Sequence, residues 1–366
     1  VTADLNLTTQ ATGPIVTDAS GDRYISIEGL IGSAYTDTLI GDGKANILRG
    51  AAGSDTLNGG AGNDTLEGGD DSDVYYVAGR DRITELAGQG TDTVVITADF
   101  VVTGNDFANV ERIVLDVSTT TNTVSGSEDG NELNGNDAAN ILNGLGGNDT
   151  LYGRGGNDVL DGGVGIDRME GWVGNDVYYA NDLGDQVVEG AGGGIDTVYA
   201  SVNFSMDVGT EVEYLYAIGN ANVQLKGSNF ANTITGNAGA NKIWGGLGND
   251  QLRGGAGKDV FVFDTRLNKS TNVDRIYDFR SKDDSFHLDN KYFTKLGSGT
   301  ASRPKKFSSD MFVNGTKAKD REDRIVYDKK TGNLYYDKDG TGGSAQVKIA
   351  TISNKTTLKF DDFFVI

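Results

Sequence analysis

Apolar residues return in this chain at every ninth position, a spacing that fits neither a helix nor a simple alternating strand. Counting from Gly32, the eighth residue of each nine is Leu39, Leu48, Leu57, Leu66 and Tyr75. From Gly126 it is Leu133, Leu142, Leu151, Leu160, Met169 and Tyr178, and from Gly227 it is Ile234, Ile243, Leu252 and Phe261. Two residues before each apolar position stands an Asp or Asn, and glycines open the unit, most clearly in Gly59-Gly-Ala-Gly-Asn-Asp-Thr-Leu-Glu67. A Gly-rich turn followed by a short strand with one inward apolar side chain is half a turn of a flattened solenoid, so 18 residues predict one full coil.

The 15 units fall into three blocks, read as 1–79 with a partial leading spacer, 126–179 and 227–263. The spacers 80–125 and 180–226 resemble each other: Asp81-Arg-Ile-Thr-Glu85 and Thr91-Asp-Thr-Val94 return 104 residues later as Asp185-Gln-Val-Val-Glu189 and Ile195-Asp-Thr-Val198. Their β-branched and aromatic alternation predicts strands. Asp22-Arg-Tyr-Ile-Ser-Ile-Glu28 reads as the tail of another spacer, and Val1-Thr-Ala-Asp-Leu-Asn-Leu7 as mid-strand sequence, so the chain is expected to be the C-terminal part of something longer. From Asp264 the period disappears. Segments such as Asp323-Arg-Ile-Val-Tyr-Asp328 and Leu334-Tyr-Tyr336, joined by the turn Lys330-Thr-Gly-Asn333, predict an antiparallel β cap over 264–366 that closes the exposed last rung.

Composition sharpens this picture. Of 366 residues 54 are Gly and 2 are Pro, a balance that suits many tight turns and excludes collagen or a stiff linker. The formal charge is −21, which disfavours nucleic acid and anionic membrane surfaces as partners. Residues 264–366 hold 20 Lys and Arg against 15 Asp and Glu, so the acid belongs to the repeats. Cysteine is absent, so disulfides and thiolate sites are excluded, and no run of apolar residues reaches membrane-spanning length.

Position six of each unit places carboxylates or amides on two edges of the coil. Asp37, Asp55 and Asp73 share one edge while Asn46 and Asp64 share the other; in the second block the edges are Asn131, Asp149, Asp167 and Asn140, Asp158, Asp176. The third block contributes Asn232, Asn241, Asp250 and Asp259. Stacking carboxylates at a strand spacing of about 4.8 Å is costly without cations. Calcium takes six to eight oxygens in a tolerant geometry, which a Gly-rich turn with inward carbonyls supplies.

The units at Gly59, Gly162 and Gly254 fit the nonapeptide G-G-x-G-x-D-x-U-x outright, and over residues 27–263 the chain resembles the hemolysin-type (RTX) calcium-binding family. The resemblance implies an all-β, right-handed parallel β-roll folding around several Ca2+ ions. It also implies that each ion takes the position-six side chain and the carbonyls at positions one and three. In the first block these are Asp37; Gly50, Ala52 and Asp55; Gly59, Ala61 and Asp64; and Gly68, Asp70 and Asp73. In the second they are Gly144, Gly146 and Asp149; Gly153, Gly155 and Asp158; Gly162, Val164 and Asp167; and Gly171, Val173 and Asp176. In the third they are Gly245, Leu247 and Asp250, and Gly254, Ala256 and Asp259. Asn46, Asn131, Asn140, Asn232 and Asn241 are expected to be weaker ligands, since an amide carries no charge.

Family members are exported by type I secretion machinery with an uncleaved C-terminal signal, for which Asp361-Asp-Phe-Phe-Val-Ile366 is the candidate, and an extracellular location follows. Asp337-Lys-Asp-Gly-Thr-Gly342 begins like an EF-hand loop but has Lys348 at the twelfth position, so it reads as a hairpin turn. One histidine, His287, and no cysteine leave no familiar catalytic constellation, and no enzymatic activity is expected. The competing functional reading is an adhesin or lectin, or the non-catalytic end of a polysaccharide-acting enzyme. The adhesin or lectin reading takes the folded roll or the aromatics Tyr292, Phe307, Phe312, Tyr335 and Tyr336 of the cap as the surface for extracellular polysaccharide.

Overall fold

The computed structural model describes residues 2–6, 27–97, 107–119 and 123–366, so most of the segment 22–28 lies outside the described residues. The chain divides into two compact units, Val1–Val177 with Gly184–Gln186, and Tyr178–Leu183 with Val187–Ile366. Both are built from short parallel strands stacked rung upon rung.

In the first unit the position-eight side chains form one ladder. Leu39, Leu57 and Tyr75 stand in register, and the stack continues through Val94, Ile113, Leu133, Leu151 and Met169. The opposite face carries Leu30, Leu48, Leu66 and Ile83, and further along the chain Val124, Leu142 and Leu160. Apart from Leu30 and Ile83, these side chains are at most 1% exposed, so these ladders form the core. Truncating any one of them to alanine opens a cavity worth about 2–5 kcal/mol.

Val94 and Ile113 belong to the spacer, whose strands Thr93–Ile96 and Arg112–Leu115 continue the same stack. Over its described residues the spacer therefore continues the coil, with an altered turn length. The nine-residue window loses it because the rung-to-rung step changes from 18 residues, as in Asp55 to Asp73, to 19, as in Asp73 to Asp92.

The second unit repeats the plan. One ladder runs Val198, Leu215, Ile234, Leu252, Ile276 and Ile352, the other Phe204, Leu225, Ile243, Phe261, Phe286 and Phe363. Parallel rungs thus persist beyond Asp264, through Asp274–Ile276, Ser285–Leu288, Val347–Ile352 and the C-terminal strand Phe363–Val365. The antiparallel part of the cap is the meander Ile325–Asp328, Asn333–Tyr336 and Val347–Ile352, with Lys305–Lys306 against Phe363–Val365. Aromatics fill this end of the stack: Phe279 and Phe286 lie with ring centroids 4.2 Å apart, and Phe286 and Phe363 4.9 Å apart. Phe307 and Tyr336 are buried in this packing, and His287 lies within the strand Ser285–Leu288. Asp337–Gly342 belongs to the connection between two antiparallel strands.

Candidate metal centres

Each rung turns at its position-six residue, and the turn is fixed by one hydrogen bond to the next rung. The N–H of Asp37 donates to Asp55 Oδ1 at 2.7 Å, that of Asp55 to Asp73 Oδ1 at 2.7 Å, and that of Asn46 to Asp64 Oδ1 at 2.8 Å. In the second block Asn131, Asp149 and Asp167 are linked in this way, as are Asn140, Asp158 and Asp176. In the third, Asn232 donates to Asp250 and Asn241 to Asp259. The sequence spacing brought these groups to common edges as expected.

That bond engages one carboxylate oxygen. The second, Oδ2, is buried without a hydrogen-bond partner in Asp55, Asp64, Asp73, Asp149, Asp158, Asp250 and Asp259. A buried carboxylate oxygen with nothing facing it costs several kcal/mol, so these atoms, apart from that of Asp259, which has a guanidinium 3.8 Å away, point to a counter-charge supplied from solution. Glycine at position one is what lets these oxygens pack so close to the backbone. A Cβ on Gly50 would meet both Asp55 Oδ2 and the carbonyl oxygen of Gly68; one on Gly144 would meet Asp149 Oδ2 and the Gly162 carbonyl. Carboxylate and carbonyl oxygens thus converge between rungs, an all-oxygen donor set that fits calcium. Burial, joined by neighbouring carboxylates, pushes Asp73, Asp149 and Asp158 up to about 7 and Asp64 to about 6.

The position-three residues contribute differently to the frame. Gly146, Gly155, Val164 and Ala256 donate their N–H to position-two carbonyls of the preceding rung, leaving their own carbonyls on the turn. Ala52, Asp70 and Val173 end the strands Ile47–Ala52, Thr65–Asp70 and Arg168–Val173, while Ala61 and Leu247 lie in turns.

Asparagine at position six produces a different turn. Asn131 Oδ1 accepts from Ser127 N–H at 2.7 Å, and its Nδ2 donates to the Val110 carbonyl at 2.8 Å. Asn232 does the same with Ser228 and Val212, at 2.9 and 2.6 Å. Asn140 and Asn241 close on Asn136 and Asn237 through both amide atoms. The amide supplies both a donor and an acceptor, so these turns are satisfied by protein groups. In Asn46 the oxygen accepts from Asp42 N–H while the Nδ2 is buried without a partner.

The last turn of the third block carries its own cation. Arg280 Nη2 donates to the carbonyls of Gly255 and Gly257 at 2.9 and 3.1 Å, and the guanidinium lies 3.8 Å from a carboxylate oxygen of Asp259 and of Asp284. The Gly255 carbonyl is a position-two acceptor, the kind that a position-three N–H takes elsewhere. Replacing Arg280 with leucine leaves two buried carboxylates facing each other. Because the guanidinium is 40% exposed, we discount the usual cost of breaking such a pair to about 1–2 kcal/mol. The expected result is a calcium requirement for the third block raised about tenfold, read from Trp244 emission in a Trp172→Phe background; an unchanged titration would deny Arg280 this role.

Several groups on these edges escaped the sequence reading. Asp92 Oδ1 accepts from Asp73 N–H at 2.8 Å, Glu111 Oε2 from Asp92 N–H at 2.7 Å, and Asp81 Oδ1 from Asp64 N–H at 2.9 Å. Beyond the third block Asp274 and Asp284 accept from Asp250 and Asp259. The signal for Asp92 was present: Gly88-Gln-Gly90-Thr-Asp92-Thr-Val94 is a repeat unit without its first glycine.

The family model of the RTX calcium-binding nonapeptide repeat, four copies long, matches this chain at residues 31–66, 40–75, 50–83, 118–151, 125–160, 134–169, 152–187 and 226–261. Comparison with curated proteins gave no match. Among the described residues no helix is long and apolar enough to cross a membrane. With its matched repeats stacked as parallel rungs and their acidic turns aligned along the edges, the chain carries RTX calcium-binding nonapeptide repeats.

Proposed function

We propose that the chain is a calcium-folded, non-catalytic module of a secreted protein, kept open at low calcium by its own charge and closed outside the cell. The observation that carries this reading is the row of buried Oδ2 atoms of Asp55, Asp64, Asp73, Asp149, Asp158 and Asp250, which accept no hydrogen bond and pack against the first glycine of their units. Calcium bound there neutralises the stacked carboxylates and ties successive rungs together. In its absence Asp149 and Asp158, with their counterparts on each edge, repel one another and oppose folding. Extracellular calcium modules bind at about 10⁻⁴–10⁻³ M, so the compartment can act as the switch. An unfolded chain suits passage through the type I secretion machinery, with Asp361–Ile366 as the export signal. The stacked turns account for most of the acid in the repeats, which leaves little for catalysis.

Far-ultraviolet circular dichroism of the chain titrated with calcium tests this. We expect a cooperative gain of β signal near millimolar calcium that magnesium does not reproduce. A chain fully folded in chelator and indifferent to calcium would refute the reading.

A further inference from the structure

The end of the first block contains a carboxylate group that the nonapeptide motif does not describe. Asp73 occupies position six of the last unit, but Glu85 and Asp92 come from the spacer, and oxygens of all three lie within 4.8 Å of one another. Asp73 is 0%, Asp92 1% and Glu85 7% exposed. Asp73 Oδ2 and Glu85 Oε2 are both buried with no hydrogen-bond partner. The other Glu85 oxygen accepts from the hydroxyl of Tyr75, which takes the place of the usual leucine at position eight. Only glycine fits at position 68, because a Cβ there would collide with Asp73 Oδ2 and with the Tyr75 hydroxyl. Among the described residues no Lys or Arg pairs with any of the three, in contrast to Arg280 beside Asp259.

We propose that Asp73, Glu85 and Asp92 form a calcium site of their own at the junction of block and spacer, a tight site that holds its ion after the ordinary turns have released theirs. This rests on the reading of the chain as a calcium module and adds to it a site of different composition. Three carboxylates converge here where an ordinary turn aligns two, and affinity in all-oxygen sites rises with ligand charge. The set has no nitrogen or sulfur, which disfavours zinc and copper, and full burial disfavours magnesium, which keeps several waters. Tyr75 steers Glu85: its hydroxyl holds one carboxylate oxygen and turns the other toward Asp73. The duplication preserves the components, since Glu189 and Asp196 repeat Glu85 and Asp92, and Tyr178 donates to Glu189 as Tyr75 does to Glu85. The third block has Phe261 at the corresponding position, and its ring packs against Phe279 and Phe286.

The experiment is equilibrium dialysis of the full chain against calcium buffered by increasing chelator, comparing wild type with Glu85→Gln. We expect the variant to lose one of the most tightly held ions while its dichroism in saturating calcium is unchanged. Equal ion counts for both chains at every chelator concentration would overturn the proposal. A wild type that binds no calcium would instead overturn the module reading itself. Should Glu85→Gln fail to fold, Tyr75→Phe decides the matter with terbium in place of calcium. Loss of the tyrosine-sensitised emission that saturates first, at unchanged terbium stoichiometry, supports the site, and unchanged emission refutes it.

Discussion

In chelator, acidification from about pH 7.5 to about pH 5 should restore part of the β signal that calcium removal is expected to abolish. Burial raises the carboxyls of Asp73, Asp149, Asp158 and Asp259 to about 7 and that of Glu85 to about 8, whereas in the unfolded chain they titrate near 4. Between those values the metal-free coil binds protons that the unfolded chain does not. Its stability therefore grows as pH falls through the folded-state values toward 4, and is lost again as pH rises through them. At about 1 kcal/mol per carboxylate, well below the full shift, the sum over these sites reaches several kcal/mol. In calcium the sign reverses, because protons then compete with the ion and the calcium midpoint climbs on acidification. Dichroism followed from about pH 8 to about pH 5, with and without calcium, checks both halves. A chelated chain that gains nothing on acidification would mean that repulsion among these carboxylates is not what keeps it open.

The second large effect is expected from Gly174→Ala. Gly174 has φ +148°, outside the range a side chain tolerates, and a Cβ there would overlap the carbonyl oxygen of Gly156 on the neighbouring rung. Backbone strain and clash together cost about 4 kcal/mol, at the upper end for single substitutions. Spread over about four ions binding cooperatively, that raises the calcium midpoint about fivefold, and it lowers the melting temperature in saturating calcium by about 10 °C. Trp172 emission in a Trp244→Phe background reports on this unit alone. Gly43→Ala is the control, since a Cβ at Gly43 meets nothing within 4 Å. If both variants melt alike, close approach of successive turns does not limit stability.

The coil and its acidic edges were legible because one pattern encodes both: an apolar residue at position eight sets the rung, and Asp at position six then falls on an edge. Asp92 was not read because its step from Asp73 is 19 residues, and a fixed window slides past it. The rungs Asp274–Ile276 and Ser285–Leu288 were hidden for the same reason, the steps from Asp250 and Asp259 having grown to 24 and 25 residues as loops enlarged the turns. Loop length alters sequence spacing without altering the strand stack. Arg280 carried no local signal at all, since its role depends on carbonyls at Gly255 and Gly257 that only the closed turn presents. The asparagines were recognised as different, yet which groups satisfy them, Val110 for Asn131 and Val212 for Asn232, depends on the rung below.

The guanidinium at the end of the third block also bears on the order in which that block assembles. On the proposed reading an acidic turn such as that of Asp149 waits for an ion to arrive by diffusion, whereas Arg280 is tethered to the chain and sits at an effectively fixed local concentration. The turn at Asp259 can therefore close before the ion concentration rises, offering the strand Val260–Phe263 as a template on which Lys242–Trp244 adds next. On that reading the third block is expected to grow from its C-terminal end backward, one direction out of two, chosen by a single covalently attached charge.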